Sequence, residues 1–308
     1  MSGAVPEEKP RVLYITGMMR CGSTFVGNVL NEMPGAIHIG ERYFLWKNAL
    51  LRDGTNTLCG CGRDLLECEV WSGRLRDPGG WKARRLWDLQ QRFLRTRHTA
   101  PRLAELRGHR RPPPEVAELG DAIADTLRGT AEASGAPLVI DSSKNAADAA
   151  VLAGRPDLDV RLLHLVRDPR ATVTSYLAPK DYLERMSAAR TLSYWAAFNV
   201  ASEAVGAALG DERYLRLRYE DFTRAPRAVI DEIARFAGAK DTSAIDFVSD
   251  RSVVLGTNHT VTGNPDRLQQ GTTEIRTTER WRETMSAPGR VAAYAGVAPL
   301  MLRYGYHR

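Results

Sequence analysis

The stretch Val12-Leu-Tyr-Ile-Thr-Gly-Met-Met-Arg-Cys-Gly-Ser-Thr-Phe25 decides how the rest of the chain is read. Val12 to Thr16 is a short apolar, β-branched run that stops at Gly17, as a buried strand does. Phe25, Val26, Val29, Leu30 and Met33 then recur at helical spacing. Strand, glycine loop and helix therefore follow one another directly. The same alternation returns along the chain. Ala36–Gly40 reads as a second strand, and Pro137–Asp141 as a strand followed by a helix from Ser143 to Gly154. Arg161–Val166 is a strand before a helix opening at Pro169, a residue suited to a first helical turn. Tyr214–Arg218 is another strand, and Pro226–Gly238 another helix. Strands alternating with helices imply an α/β fold, a doubly wound parallel sheet with helices on both faces. We read residues 1–308 as one domain with two interruptions. Residues of about 55–118 form a helical, arginine-rich insertion, and residues of about 252–285 a polar lid or cofactor loop before a C-terminal helix.

Composition narrows the classes. With 308 residues, 43% hydrophobic and a net charge of +6, the chain is neither disordered nor too short for a large core. It has no run of about 18 apolar residues, so no transmembrane segment is expected. The polar stretch from Met1 to Arg11 lacks the pattern of a signal peptide. Four cysteines are few for a disulfide scaffold, and a cytoplasmic protein is expected. The ratio of 37 arginines to six lysines suggests a GC-rich bacterial source. Arg74 to Arg111 holds eleven arginines and Lys82 against three acids, an excess of nine positive charges. With few interleaved aromatics, that segment reads as a solvated face or a rim attracting an anion, and no nucleic-acid partner is expected.

The loop Gly17–Thr24 lies where backbone N–H groups at a helix N-terminus are unpaired and can cradle phosphate oxygens. Its G-x-x-x-x-G spacing makes the fold P-loop-like, yet Ser23 stands where a triphosphatase loop has its lysine, and Arg20 supplies the charge instead. A second element follows the Arg161–Val166 strand. Arg167, at the strand's carboxyl end, and Ser175, on the next helix, converge on the sheet edge where doubly wound folds bind ligands. An arginine there offers a bidentate grip on a second, separate phosphate.

At this point the chain resembles the sulfotransferase superfamily over most of its length. Met19-Arg-Cys-Gly-Ser-Thr-Phe25 is similar to that family's 5′-phosphosulfate loop, and Leu165–Ser175 to its 3′-phosphate element. Tyr219-Glu-Asp-Phe222 resembles its tyrosine turn near the adenine, and Leu302–Tyr306 its common ending. Arg20 and the Gly263-Asn-Pro-Asp-Arg267 segment look more like the carbohydrate and tyrosylprotein branches than the phenol and steroid branch. The resemblance implies the co-substrate 3′-phosphoadenosine-5′-phosphosulfate, with adenosine 3′,5′-bisphosphate as product. It implies a hydroxyl acceptor on a glycan, glycolipid or natural product. The implied cofactor-binding residues are Arg20, Cys21, Gly22, Ser23, Thr24, Phe25, Arg167, Ser175, Tyr219, Gly263, Asn264 and Arg267. Arg267 would reach the 3′-phosphate side from the lid, with Trp281 packed behind it.

Sulfuryl transfer, like phosphoryl transfer, is an in-line displacement helped mostly by positioning and charge stabilisation. Glu41 follows the second strand, and the Gly40-Glu41 pair matches the family position of the general base; His259 and His38 are rival bases. Glu41 and His259 are the residues expected to face the acceptor. Arg20 and Lys144, the latter just after a strand, are expected to neutralise the leaving phosphate. Cys59, Cys61 and Cys68 are close enough for zinc or a disulfide, but with no fourth ligand evident they read as free thiols, and no metal is expected. Two other readings compete. In a P-loop kinase or triphosphatase, Asp141 and the hydroxyl of Ser23 or Thr24 would hold Mg²⁺. In a non-catalytic anion or nucleic-acid module, the Arg74–Arg111 segment would carry the binding.

Overall fold

A computed structural model describes the chain apart from residues 1–8, 55, 74, 76, 78, 179–184, 240, 277–278 and 308. The first eight residues of the stretch read for a leader, and Arg74 and Arg76 of the basic segment, thus lie outside the described residues. Five strands, β1 (Arg11–Thr16), β2 (Ala36–Gly40), β3 (Leu138–Lys144), β4 (Asp159–Val166) and β5 (Tyr214–Arg218), form one sheet in the order β2-β3-β1-β4-β5. Every pairing is parallel. The strand order reverses beside β1, so the loop after β1 lies at the point where ligands enter such sheets.

Alternation along β1 sorts the core into two layers. Val12 and Tyr14 join the cluster that includes Leu119, Ile123 and Leu127 of helix Pro114–Ser134, and Val205 of helix Ala188–Leu209. Leu13 and Ile15 face Val26, Val29 and Leu30 of helix Ser23–Asn31, and Ile230 and Ile233 of helix Pro226–Phe236. Both faces of the sheet are covered, as expected of a parallel sheet.

Local readings change at the end of β3 and in the 252–285 region. β3 continues beyond Asp141 to Lys144, and the next helix begins only at Ala146, so Lys144 ends a strand and does not open a helix. The insertion contains helices Trp81–Phe93, Thr99–Leu106 and the start of Pro114–Ser134. The polar region of about 252–285 contains an antiparallel hairpin, β6 (Ser252–Leu255) with β7 (Gly271–Glu274), before helix Ala287–Arg303.

Candidate functional site

The loop after β1 crosses the end of β4 so closely that only glycine fits at its start. A Cβ on Gly17 would sit 2.4 Å from the Leu165 carbonyl oxygen, and φ there is +137°. At the other end, Gly22 (φ +94°) lies under the ring of Tyr219, where a Cβ would come within 2.2 Å of the ring carbons. Helix Ser23–Asn31 starts there with no side-chain cap. The first N–H groups of an uncapped helix lack intrahelical partners, and Gly22, Ser23, Thr24 and Phe25 line the cavity at the sheet edge.

Two non-glycine residues with left-handed backbone, Arg20 (φ +75°) and Lys144 (φ +71°), both line that cavity of about 560 Å³. Such conformations cost about 1–3 kcal/mol and persist where surrounding contacts impose them. For Arg20 the contacts are explicit. Its Nε donates to Ser175 Oγ at 3.0 Å, and its carbonyl accepts from Arg167 Nη1 at 2.7 Å. Arg167 also stacks over Tyr219, 5.5 Å from the ring centroid, and its buried Nε has no partner among the described residues. Asp168, the nearest acid in sequence, is taken by Arg170 at 2.7 Å. Arg20, Gly22, Arg167, Ser175 and Tyr219 are therefore one assembly. Burial pushes the Tyr219 phenol up to about 12, so it stays a neutral ring.

The other wall comes from the ends of β2 and β3. Lys144 Nζ donates to the Glu41 carboxylate and to the Ser142 carbonyl at 3.1 Å. The backbone N–H of Glu41 donates to Thr262 O at 3.0 Å, which fixes the carboxylate's root against the 258–263 loop. Arg42 does not pair with Glu41. Its guanidinium is fully buried between Asp141, at 2.8 Å, and Asp148, which also accepts from Tyr14 Oη at 3.0 Å. Burial works against that cation, but the two carboxylates outweigh it and hold it protonated. This network lies directly beneath Glu41, and it also occupies the aspartate that the triphosphatase reading assigns to a metal. Asp141 further accepts from the Ser143 N–H at 2.9 Å.

Of the remaining expected residues, Ser23, Thr24 and Phe25 line the cavity, as do Gly263 and Asn264. Cys21 is buried beneath the loop, its thiol pushed up by burial. Arg267 points inward and is 2% exposed: its guanidinium donates to Thr260 O at 3.0 Å and Leu58 O at 2.9 Å. It pins the loop from within and is not among the cavity's lining residues. Trp281 packs against Arg170, whose guanidinium lies 4.0 Å from the ring centroid. His38 is sealed between Asn28 Oδ1 (2.9 Å) and Ser142 Oγ (3.0 Å), and burial pushes its pKa down to about 3. His259 turns away from the cavity, with Nδ1 3.3 Å from Cys68 Sγ. Neither histidine is placed to serve as the base.

Lys47 and Arg276 also line the cavity and were not anticipated. Lys47 sits in an irregular π-turn after β2, and Arg276 follows the hairpin, so neither carries a periodic signal. Of the nine described arginines of the basic segment, four pair with acids, Arg84 with Asp53 (3.0 Å), Arg85 with Glu118 (2.6 Å), and Arg102 (2.5 Å) and Arg110 (3.7 Å) with Glu105. None of its described residues lines the cavity. No helix among the described residues is long and apolar enough to cross a membrane.

A family model described as "Sulfotransferase family" matches residues 83–243, a span that includes Lys144, Arg167, Ser175 and Tyr219. Carbohydrate sulfotransferase 7 of Rattus norvegicus is 26% identical over 311 aligned positions, covering 79% of this chain and 63% of that protein. The chain thus spans somewhat under two thirds of that relative's length. Among solved structures, the sulfotransferase domain from the Synechococcus PCC 7002 olefin synthase has a TM-score of 0.57 at 20% identity, covering 99% of this chain and 98% of that one. The sulfotransferase domain from the curacin biosynthetic pathway has a TM-score of 0.57 at 14% identity, covering 98% and 99%.

Proposed function

The chain belongs to the sulfotransferase family, and on that premise we propose that it transfers the sulfuryl group of 3′-phosphoadenosine-5′-phosphosulfate to an acceptor hydroxyl. The observation that carries the reading is the assembly of Arg20, Ser175, Arg167 and Tyr219 around one strained loop. A ligand with two phosphates on one adenosine suits it. One phosphate would take the open N–H groups of Gly22–Phe25, and the other the unpartnered Nε of Arg167 together with Ser175. Tyr219 would lie against the base.

In this scheme Glu41 accepts the acceptor's proton, the hydroxyl oxygen attacks sulfur, and the bond to the bridging phosphate oxygen breaks. Arg20 and Lys144 neutralise the charge left on that oxygen. The Glu41–Lys144 pair supports a division of labour: a phosphate arriving beside Lys144 offers the ammonium a second anion and leaves Glu41 free for the hydroxyl. No metal is required by this scheme, since five cations, Arg20, Lys47, Lys144, Arg167 and Arg276, already line the cavity. The acceptor we favour is a hydroxyl of a glycan, glycolipid or natural product, a reading supported by the carbohydrate sulfotransferase relative. We favour a bacterial, cytoplasmic setting, the first supported by the arginine-rich composition and the second by four cysteines, few for a disulfide scaffold. The 268–276 segment, beyond the part of the loop that Arg267 ties down, is the part we expect to close over bound donor.

Calorimetric titration with adenosine 3′,5′-bisphosphate and, separately, Mg-ATP tests the proposal. The bisphosphate should bind at least tenfold more tightly. Equal or tighter ATP binding would overturn the reading in favour of a P-loop kinase.

A further inference from the structure

We propose that Cys59, Cys61, Cys68 and His259 together bind one structural zinc ion, a site separate from the sulfuryl-transfer cavity and independent of its assignment. Three thiols from one short segment and an imidazole from a loop about 190 residues away converge on a common point. Their ligand atoms all lie within 4.8 Å of one another. Cys68 Sγ is 3.3 Å and Cys59 Sγ 3.7 Å from His259 Nδ1, and Cys61 Sγ is 3.8 Å from Cys68 Sγ. A tetrahedral zinc with Zn–S of about 2.3 Å and Zn–N of about 2.0–2.1 Å has edges of about 3.8 Å between sulfurs and about 3.6 Å between sulfur and nitrogen. The three observed distances lie within about 0.3 Å of those edges.

Two other uses of these side chains fit less well. A disulfide joins two sulfurs at about 2.05 Å and leaves the third thiol and the imidazole without a role. A set of buried free thiols has no need of an imidazole nitrogen aimed among them. The metal uses all four atoms, and the donor set of three sulfurs and one nitrogen is the kind that selects zinc over the harder divalent ions. All four positions are filled by protein, so the ion has no open position for water or substrate and its role is structural.

The backbone is built for the site. Cys59 N–H donates to Arg63 O at 2.8 Å and Gly62 N–H to Cys59 O at 2.9 Å, which folds Cys59–Gly62 into a tight knuckle. Cys68 N–H donates to Asp64 O at 3.0 Å. Gly60 N–H donates to Thr260 O at 2.9 Å, and a Cβ on Gly60 would lie 1.9 Å from Asn258 Oδ1, so the two segments touch at a glycine. Trp71 Nε1 donates to His259 O at 2.9 Å and sets the histidine's backbone. On the other side of the ring, the exposed Glu69 carboxylate stands 4.0 Å from Nε2, too far for a hydrogen bond.

The ion would cross-link residues 58–71 to the 258–262 loop. That loop continues into Thr262 and Gly263, which line the cavity, and Thr262 O holds the Glu41 N–H. Zinc thereby stiffens the wall from which the proposed base projects.

The test is metal content and spectroscopy of the full chain, purified without a metal-affinity tag from zinc-supplemented cells. Elemental analysis should find about one zinc per chain, released by a mercurial that titrates thiols. Cys61→Ser and His259→Ala should each lower the zinc content at least severalfold. To separate metal binding from any folding defect of a variant, the wild-type chain is also stripped under reducing conditions and titrated with Co²⁺ alone. Thiolate-to-cobalt charge-transfer bands and intense tetrahedral d–d bands should rise and saturate at one equivalent. Zinc content near zero, iron in its place, a disulfide among Cys59, Cys61 and Cys68 by mass spectrometry, or a weak octahedral cobalt spectrum would each overturn the proposal.

Discussion

Replacing Glu41 by glutamine separates the chemistry of the proposed base from its contribution to the fold. The side chains of Glu41 and Lys144 are 16% and 5% exposed, so their ion pair is only partly screened by solvent. Glutamine keeps an oxygen that can accept from Lys144 Nζ but removes the charge. The loss is then the difference between a charge-assisted and a neutral hydrogen bond, about 1–2 kcal/mol. Lys144 also retains its bond to Ser142 O, which limits the damage. In a chain of this size such a loss lowers the melting temperature by a few degrees, too little to empty the folded state at assay temperature. Turnover is a different matter. A positioned general base contributes about 10²–10⁴ to rate, equivalent to about 3–5 kcal/mol of barrier. The Glu41→Gln variant should therefore stay folded, bind adenosine 3′,5′-bisphosphate as well as or better than the parent, since Lys144 is released from its carboxylate, and turn over at least a hundredfold more slowly at saturating acceptor. Mass-spectrometric turnover, calorimetry and thermal melts on one preparation distinguish these effects. Turnover within about threefold of the parent, or a loss that follows weakened donor affinity, would remove Glu41 from the role.

Other expectations rest on single contacts. Arg167→Ala should weaken adenosine 3′,5′-bisphosphate by tenfold or more, from the about 1.5–3 kcal/mol of a hydrogen bond to a charged group, and Ser175→Ala by less. Adenosine 5′-phosphosulfate, which lacks the 3′-phosphate, should be much less affected, and equal losses for both ligands would count against the assignment. His38 titrates at about 3 in the folded chain against about 6.5 unfolded, chiefly because it is buried. Below pH 6.5 the unfolded chain binds a proton that the folded one does not, so stability present above pH 6.5 is lost as pH falls towards 3. At pH 5 the loss amounts to about 2 kcal/mol. Denaturant titrations at pH 7 and pH 5 should show a steeper decline for the parent than for His38→Gln, and parallel declines would refute the buried, neutral state of this ring.

What could be read in the sequence, and what could not, divides by the range of the interaction responsible. Strands β1 to β4 announced themselves by apolar runs, as strands buried on both faces do, whereas the half-buried edge strand β5 alternates Leu with Arg. The phosphate loop announced itself because its glycines meet local backbone demands. Glu41 and Lys144 were found by a positional rule, that residues at the carboxyl ends of parallel strands meet at one edge, joined for Glu41 by the resemblance of Gly40-Glu41 to a family motif, and the structure brings the two into contact. Helix Ala188–Leu209 went unread for a physical reason: its buried face is partly polar. Asn199 donates to Trp195 O and faces His164 at 2.8 Å, and Ser202 faces Thr16 at 2.7 Å, so no apolar stripe marks it. Arg267 and His259 show the harder limit. A cation in a polar loop looks solvated until its acceptors are known, and those of Arg267 include Leu58 O, 209 residues away. The imidazole of His259 meets sulfurs equally remote in sequence. Both residues tie the same two segments together, one through backbone carbonyls and the other through thiols. The 258–267 loop is therefore better understood as a wall anchored twice from behind than as a free lid. Its contribution to the cavity depends on cross-links that no local pattern in either segment encodes.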